Sequence, residues 1–261
     1  MERLKDELKD IKLYILDMDG TIYLEDKIIP GAKAFVDGLI AENKDYIFMS
    51  NNSSVSKNVY LDKLKKLNIV AKEENLFSSS MAMGEYLKRF YPDKRVYVVG
   101  TKKFEEELRN YDVRIVEAEA EIVVVGYDSE LTYEKLRKAC AFIDSGALFL
   151  ATNPDLVYPL KNKRYIPDCG SICMMITNAT KKEPLYVGKP NNFMIEVIMS
   201  KYNYKLEEVV IVGDRLYTDI LMGVNAGIKS ILVLSGEATT NGLNNSKIKP
   251  TYIVESIEEL I

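Results

Sequence analysis

The sequence predicts an α/β protein built on parallel strands, with a second, smaller α/β unit inserted into the chain. Three observations predict it. Short apolar runs alternate with helical patterns along most of the 261 residues. Four of those runs end directly in polar or charged side chains instead of hairpin turns. Residues 82–183 carry their own strands and helices between the second and the third of these polar strand ends.

Residues 2–9 are of mixed charge and predict a short helical lead-in or a loose end. Residues 13–16 are all apolar and predict a buried strand, followed at once by Asp17, Met18, Asp19, Gly20 and Thr21. Residues 32–43 predict a helix with Phe35, Val36, Leu39 and Ile40 on one side. Residues 45–49 predict a second strand, ending in Ser50, Asn51, Asn52, Ser53 and Ser54. A helix over 56–67, a short strand over 76–80 and a helix over 81–90 follow. In the insert, strands are predicted over 95–99, 113–116, 121–125 and 147–151, with helices over 102–109 and 132–144. Pro154, Pro159 and Pro167 predict a broken loop region, and residues 170–178 an apolar helix. Residues 184–187 predict a strand leading into Gly188, Lys189 and Pro190, and residues 192–202 a helix. Residues 209–212 predict a strand ending in Gly213 and Asp214. A helix over 221–226 that stops at Gly227, a strand over 231–234, an apolar run over 252–254 and a short final helix close the pattern. The domain reading is a first core segment over 1–81, an inserted domain over 82–183 and a second core segment over 184–261.

Hydrophobic residues make up 47% and charged residues 28%, as in an ordinary globular protein. The net charge of −4 gives no support for binding a nucleic-acid polymer. There is no apolar run long enough to span a membrane, and the charged N-terminal segment is unlike a signal peptide, so a cytoplasmic protein is expected. Cys140, Cys169 and Cys173 are too few for a structural zinc site and fit a reducing compartment. The absence of histidine is the sharpest compositional fact. It removes Ser-His-Asp and Cys-His catalysis, leaving proton transfer to Asp, Glu, Lys, Tyr or Cys.

In an open parallel sheet the carboxyl ends of the strands share one edge, where ligands bind. Asp17 with Asp19, Ser50 with Asn51 and Asn52, Lys189, and Asp214 with Asp219 would gather there. Three carboxylates can anchor Mg²⁺, while a hydroxyl and an ammonium can hold phosphate oxygens. Each residue also has an ordinary reading. Ser50 suits a helix N-cap, Lys189 a solvated turn, and Asp219 the start of the next helix.

The motif Asp17-Met18-Asp19-Gly20-Thr21, Ser50 within SNNS, Lys189 within Gly188-Lys189-Pro190, and Gly213-Asp214-Arg215-Leu216-Tyr217-Thr218-Asp219 stand in that order. In these motifs the chain resembles the haloacid dehalogenase superfamily, and within it the C2-capped phosphatases related to NagD, 4-nitrophenylphosphatase and pyridoxal phosphate phosphatase. The resemblance covers nearly the full length. It implies a Rossmann-like core with residues 82–183 as an α/β C2-type cap over the site. It also implies hydrolysis of a small phosphorylated metabolite: a nucleoside monophosphate, a sugar phosphate, phosphoglycolate or 4-nitrophenyl phosphate. A phosphomutase or phosphotransferase, or a non-catalytic phosphate-binding regulator, are the alternatives.

Carried onto this chain, the resemblance makes Asp17 the nucleophile and Asp19 the general acid and base. Asp17, the backbone carbonyl of Asp19 and Asp214 would be ligands of Mg²⁺, with Asp219 supporting the metal site. Ser50 and Lys189 would hold the phosphoryl oxygens, with Gly20, Asn51 and Asn52 lining the phosphate. Cys169, Gly170 and Ser171, within a turn that resembles a cap segment, are expected to face the substrate. Relatives with a pyridoxal phosphate specificity use a cap histidine that this chain lacks, so that specificity is not implied. A homodimer is the assembly the resemblance allows.

Overall fold

The computed structural model describes residues 2–160 and 164–261. The chain forms two compact units. The first comprises Met1–Ser50, Lys57–Phe77 and Ile195–Ile261, the second Asn51–Ser56 and Ser78–Met194.

The first unit is built on a six-stranded sheet in the order Tyr252–Val254, Lys229–Val233, Val209–Gly213, Leu13–Asp17, Asp45–Ser50, Leu76–Ser78. Leu13–Asp17 runs parallel to both Val209–Gly213 and Asp45–Ser50. All five of its residues are buried, as expected of a strand covered on both faces. Leu13, Ile15 and Leu16 are completely excluded from solvent, worth about 1.5–3 kcal/mol each on transfer from water. The helix Ala32–Ala41 turns Phe35, Val36 and Leu39 inward and leaves Ile40 largely exposed. From the central strand the chain builds outward in both directions, which makes that strand the topological switch point of the sheet.

The second unit has a five-stranded sheet in the order Leu185–Tyr186, Leu148–Ala151, Ile122–Val125, Arg95–Val99, Arg114–Ile115, every pair parallel. Its helices begin where side chains satisfy the free N–H groups. Thr101 accepts from Phe104, Thr132 from Lys135, and Asp168 from Cys169.

The units divide the chain at points other than the expected 81/82 and 183/184. The helix Ser79–Phe90 packs on Lys102–Arg109, and the longer segment of the second unit begins at Ser78. Leu185 pairs with Leu150 and Tyr186 with Ala151, which places this strand in the second sheet, whereas the sequence reading put it with the core. Asn51–Ser56 join the second unit because Ser53 Oγ lies 3.2 Å from Thr152 Oγ1 and accepts from Tyr127 N–H, while Thr101 Oγ1 donates to Ser54 C=O. The proline-rich region expected as loop contains a hairpin, Val157–Leu160 against Arg164–Pro167. Asp168 N–H donates to Leu156 C=O, so by the alternation along an antiparallel pair Pro159 and Pro167 stand where the backbone nitrogen faces away from the partner strand, and neither costs a ladder bond. No helix among the described residues is long and apolar enough to cross a membrane.

Candidate active site

The register of the first sheet brings the acidic strand ends together. Leu16 lies opposite Val212 and Asp17 opposite Met49, so Asp17, Ser50 and Asp214 leave one edge within a residue of each other. After Asp17 the chain winds tightly around one carbonyl. Met18 C=O accepts from the N–H groups of Thr21, Ile22 and Tyr23, with Met18 itself fully buried. Thr21 Oγ1 donates to Asp17 Oδ2 at 3.3 Å.

Asp17, Asp214 and Asp219 are all buried, and each offers one oxygen within 4.8 Å of the others. Burial first, then the charges of Asp17 and Asp219, push the Asp214 carboxyl well above its ordinary range. Arg215 and the N–H of Glu237 oppose the shift. Asp214 Oδ2 accepts from Glu237 N–H at 2.6 Å, and the Asp214 carbonyl accepts from Ala238 N–H. Asp214 Oδ1 is buried with no hydrogen-bond partner among the described residues. Such an atom normally costs about 1–3 kcal/mol unless something satisfies it. A hard divalent cation bound through oxygen ligands fits both the bare oxygen and the all-carboxylate donor set.

Two glycines make room for the Asp214 carboxylate. A Cβ at Gly20, whose φ is +93°, would stand 2.4 Å from Asp214 Oδ2, and one at Gly236 would stand 2.0 Å from it. Gly236 was not identified from sequence, because the loop after residues 231–234 carries no recognisable local signal. Asp219 lies in the turn Leu216–Ile220 and accepts from Arg215 N–H at 3.1 Å. It thus anchors the start of its own turn, and it also belongs to the three-carboxylate group.

The Asp19 carboxylate, half-buried, lies 3.9 Å from Lys63 Nζ. Lys63 Nζ in turn sits over the Tyr23 ring at 3.5 Å from its centroid. Burial lowers the Lys63 ammonium from its usual range, and the nearby Asp19 and Asp26 oppose this. Lys63 was also missed from sequence: with Lys65 and Lys66 it reads as a solvated helix face. Ser50 ends its strand, and the following helix starts only at Lys57, so Ser50 does not cap it. The Ser50 hydroxyl lies 3.2 Å from the hydroxyl of Tyr60.

The remaining candidates belong to the second unit. Lys189 and Asn51 are buried and bonded to each other: Asn51 Oδ1 accepts from Lys189 N–H at 2.9 Å, and Asn51 Nδ2 donates to Lys189 C=O at 3.1 Å. Asn52 shapes its loop, accepting from the N–H and hydroxyl of Ser54. Cys169 is fully buried at the start of its helix, and its thiol donates to Val125 C=O. Gly170 N–H donates to Asp155 C=O, and Ser171 Oγ donates to Leu156 C=O. Gly170 and Ser171 thus tie the 155–156 segment to the helix Cys169–Thr180, while Cys169 ties that helix to the strand Ile122–Val125.

Comparison with known proteins gives one consistent answer. Residues 14–114 match the family model for haloacid dehalogenase-like hydrolases, and residues 186–260 a second model of the same type, HAD-hydrolase-like. The chain is 34% identical over 254 residues to the 5'-nucleotidase YutF of Bacillus subtilis, covering 97% of this chain and 99% of that one. It is 32% identical over 255 residues to an acid sugar phosphatase of Staphylococcus aureus, covering 97% and 98%. The crystal structure of a 4-nitrophenylphosphatase from Thermotoga maritima superposes with a TM-score of 0.93 at 38% identity, covering 97% of each chain. NagD from E. coli superposes with a TM-score of 0.88 at 31% identity, covering 96% of this chain and 98% of that one.

Proposed function

We propose that this chain, which belongs to the haloacid dehalogenase-like hydrolase family, hydrolyses small phosphomonoesters through a phosphoryl group held transiently on Asp17. That it is a phosphatase of this family accords with the named activities of its relatives. The observation that carries the mechanistic reading is the buried group Asp17, Asp214 and Asp219, with one Asp214 oxygen bare.

In this reading an Asp17 oxygen attacks phosphorus, and the bond from phosphorus to the leaving oxygen breaks. Asp19 gives that oxygen its proton. Water then attacks the aspartyl-phosphate and Asp19 takes the water's proton. The bond between phosphorus and the Asp17 oxygen breaks, releasing phosphate and restoring both carboxyls. Thr21 holds Asp17 by its hydrogen bond to Oδ2, and Lys63 steers the Asp19 carboxylate electrostatically. Ser50 and Lys189 hold the phosphoryl oxygens, with Gly20, Asn51 and Asn52 shaping the loops around them. Asp17, Asp214 and the Asp19 carbonyl would hold Mg²⁺, with Asp219 beside them. When bound, the cation supplies positive charge that offsets the carboxylates and the phosphoryl oxygens. We assign choice of leaving group to the insert, as the likeness to C2-capped phosphatases implies, with Cys169, Gly170 and Ser171 in the segment that makes it.

The substrate class follows from the relatives' names: a sugar phosphate or a nucleoside monophosphate, with 4-nitrophenyl phosphate as a chromogenic stand-in. A panel of phosphorylated metabolites assayed for phosphate release with Mg²⁺ and with EDTA tests the proposal. Release that needs the cation and favours one class supports it. No release from any monoester refutes it.

A further inference from the structure

The strand Leu148–Ala151 runs into Thr152, Asn153, Pro154 and Asp155, and the side chains of Thr152, Asn153 and Asp155 are all buried. Buried polar groups need partners, and here they find one another in sequence. Thr152 Oγ1 donates to Asn153 Oδ1 at 2.8 Å, which leaves the Asn153 NH₂ to point elsewhere. It donates to Asp155 Oδ2 at 2.8 Å. The same Asp155 oxygen accepts from Asn51 Nδ2 at 2.9 Å.

An ionised carboxylate only accepts, so it dictates which way a neighbouring amide faces. With its NH₂ drawn to Asp155, Asn51 must turn its oxygen the other way. That oxygen is the one that accepts from Lys189 N–H. A flipped Asn51 would set its oxygen against Asp155 Oδ2 and the Lys189 carbonyl, and its NH₂ against the N–H of Lys189, three repulsive contacts in place of three bonds.

From this geometry we infer that Asp155 is a positioning residue for Lys189, acting through the orientation of Asn51. The inference rests on the reading of Lys189 as the lysine that holds the phosphoryl group. The bland role for Asp155 is local, since its backbone carbonyl also accepts from Gly170 N–H and ties the loop to the next helix. That bond uses the main chain and survives substitution, so the two roles separate.

The test is a double-mutant cycle on the full chain with Asp155→Ala, Asn51→Ala and both together, plus Lys189→Ala as the control for the underlying reading. Two quantities are read: kcat and KM with 4-nitrophenyl phosphate and Mg²⁺, and the exchange rate of the Lys189 amide hydrogen. Asp155→Ala is expected to lower kcat/KM by about 10- to 100-fold, in line with other residues that orient a working group, and to speed Lys189 exchange. In the Asn51→Ala background it is expected to add less than about 2-fold, because the two residues act as one chain. Asp155→Asn can still offer a carbonyl oxygen to both amides and is expected to restore most of the loss. Should Asp155→Ala fail to fold, the same cycle is run with Asp155→Asn, which is expected to show a smaller loss that again vanishes without Asn51.

Losses that multiply fully with those of Asn51→Ala, or wild-type exchange at Lys189 in the Asp155 variants, overturn the inference. Unchanged kinetics in Lys189→Ala overturn the phosphoryl-holding role itself. Amide exchange then still decides whether Asp155 positions Lys189.

Discussion

Replacing Asp214 with asparagine offers the most revealing perturbation, because it should stabilise the metal-free protein while weakening its response to a cation. At separations up to 4.8 Å, each pair of charged carboxylates in the group repels by roughly 3–4 kcal/mol at an effective dielectric constant of about 20. Asp214 takes part in two of the three pairs, and this repulsion adds to the larger effect of burial in raising its carboxyl above the ordinary 3.8. The sign follows. Between 3.8 and the raised native value the folded state binds more protons than the unfolded chain, so stability falls as pH rises through that window. The slope is about 1.4 kcal/mol per pH unit. In a chain of this size that corresponds to about 3–6 °C of Tm per pH unit. The amide that Asp214→Asn introduces cannot ionise. Its carbonyl can still accept from Glu237 N–H, and its NH₂ would face the other carboxylates instead of repelling them. In EDTA, therefore, the variant should melt above wild type by a margin that widens from about pH 4 upward. With Mg²⁺ at about 100 times its Kd, wild type should gain about 2.7 kcal/mol, and the variant much less, so the order of the two melting temperatures reverses. Scanning calorimetry across pH, with EDTA and with Mg²⁺, reads all of this. A variant that melts below wild type in EDTA at every pH, or that keeps the full cation-induced rise, would refute the reasoning.

Other substitutions probe the remaining parts of the site. Gly20→Ala forces a side chain into a left-handed backbone and against Asp214, costing about 1–2 kcal/mol from the backbone alone. Calorimetric titration should show cation binding weakened along with the lower Tm, and wild-type affinity would contradict the packing described. Asp19→Asn should cut kcat by about 10²–10⁴-fold on sugar phosphates. The loss should be smaller on 4-nitrophenyl phosphate, whose leaving group needs little help from a proton. Equal losses on both substrates would remove Asp19 from the acid role. Tyr60→Phe deletes the hydroxyl beside Ser50 and should cost about 0.5–1.5 kcal/mol of stability, seen as a lower denaturant midpoint.

Much of this site could be read from local sequence because its parts lie at the ends of apolar strands. The runs before Asp17, Ser50 and Asp214 have no competing helical period, and the sheet register then brings their ends level. What escaped the sequence depends on contacts between distant segments. Leu185 and Tyr186 join the second sheet by pairing with Leu150 and Ala151, a choice their own short apolar run does not encode. Lys63 sits among solvated lysines on its helix and differs from them only in reaching Asp19 and Tyr23. Gly236 and Glu237 meet Asp214 across more than twenty residues of chain, as the 2.6 Å bond to Glu237 N–H records. Asp155 follows a proline like any turn residue, and its convergence with Asn51 depends on segments far apart in sequence. The hairpin Val157–Leu160 with Arg164–Pro167 was hidden by its prolines, whose backbone nitrogens face away from the partner strand.

The central claim is that Asp17 carries the phosphoryl group during hydrolysis of a phosphomonoester. Its most direct test mixes the enzyme with a radiolabelled phosphomonoester and Mg²⁺, quenches in acid within one turnover, and locates the label on the digested chain by mass spectrometry. The account predicts an acid-stable, base-labile phosphoryl group on the peptide containing Asp17, absent from Asp17→Asn, which should also release no phosphate. Phosphate release at the wild-type rate by Asp17→Asn, or a label fixed on any other residue, would contradict it.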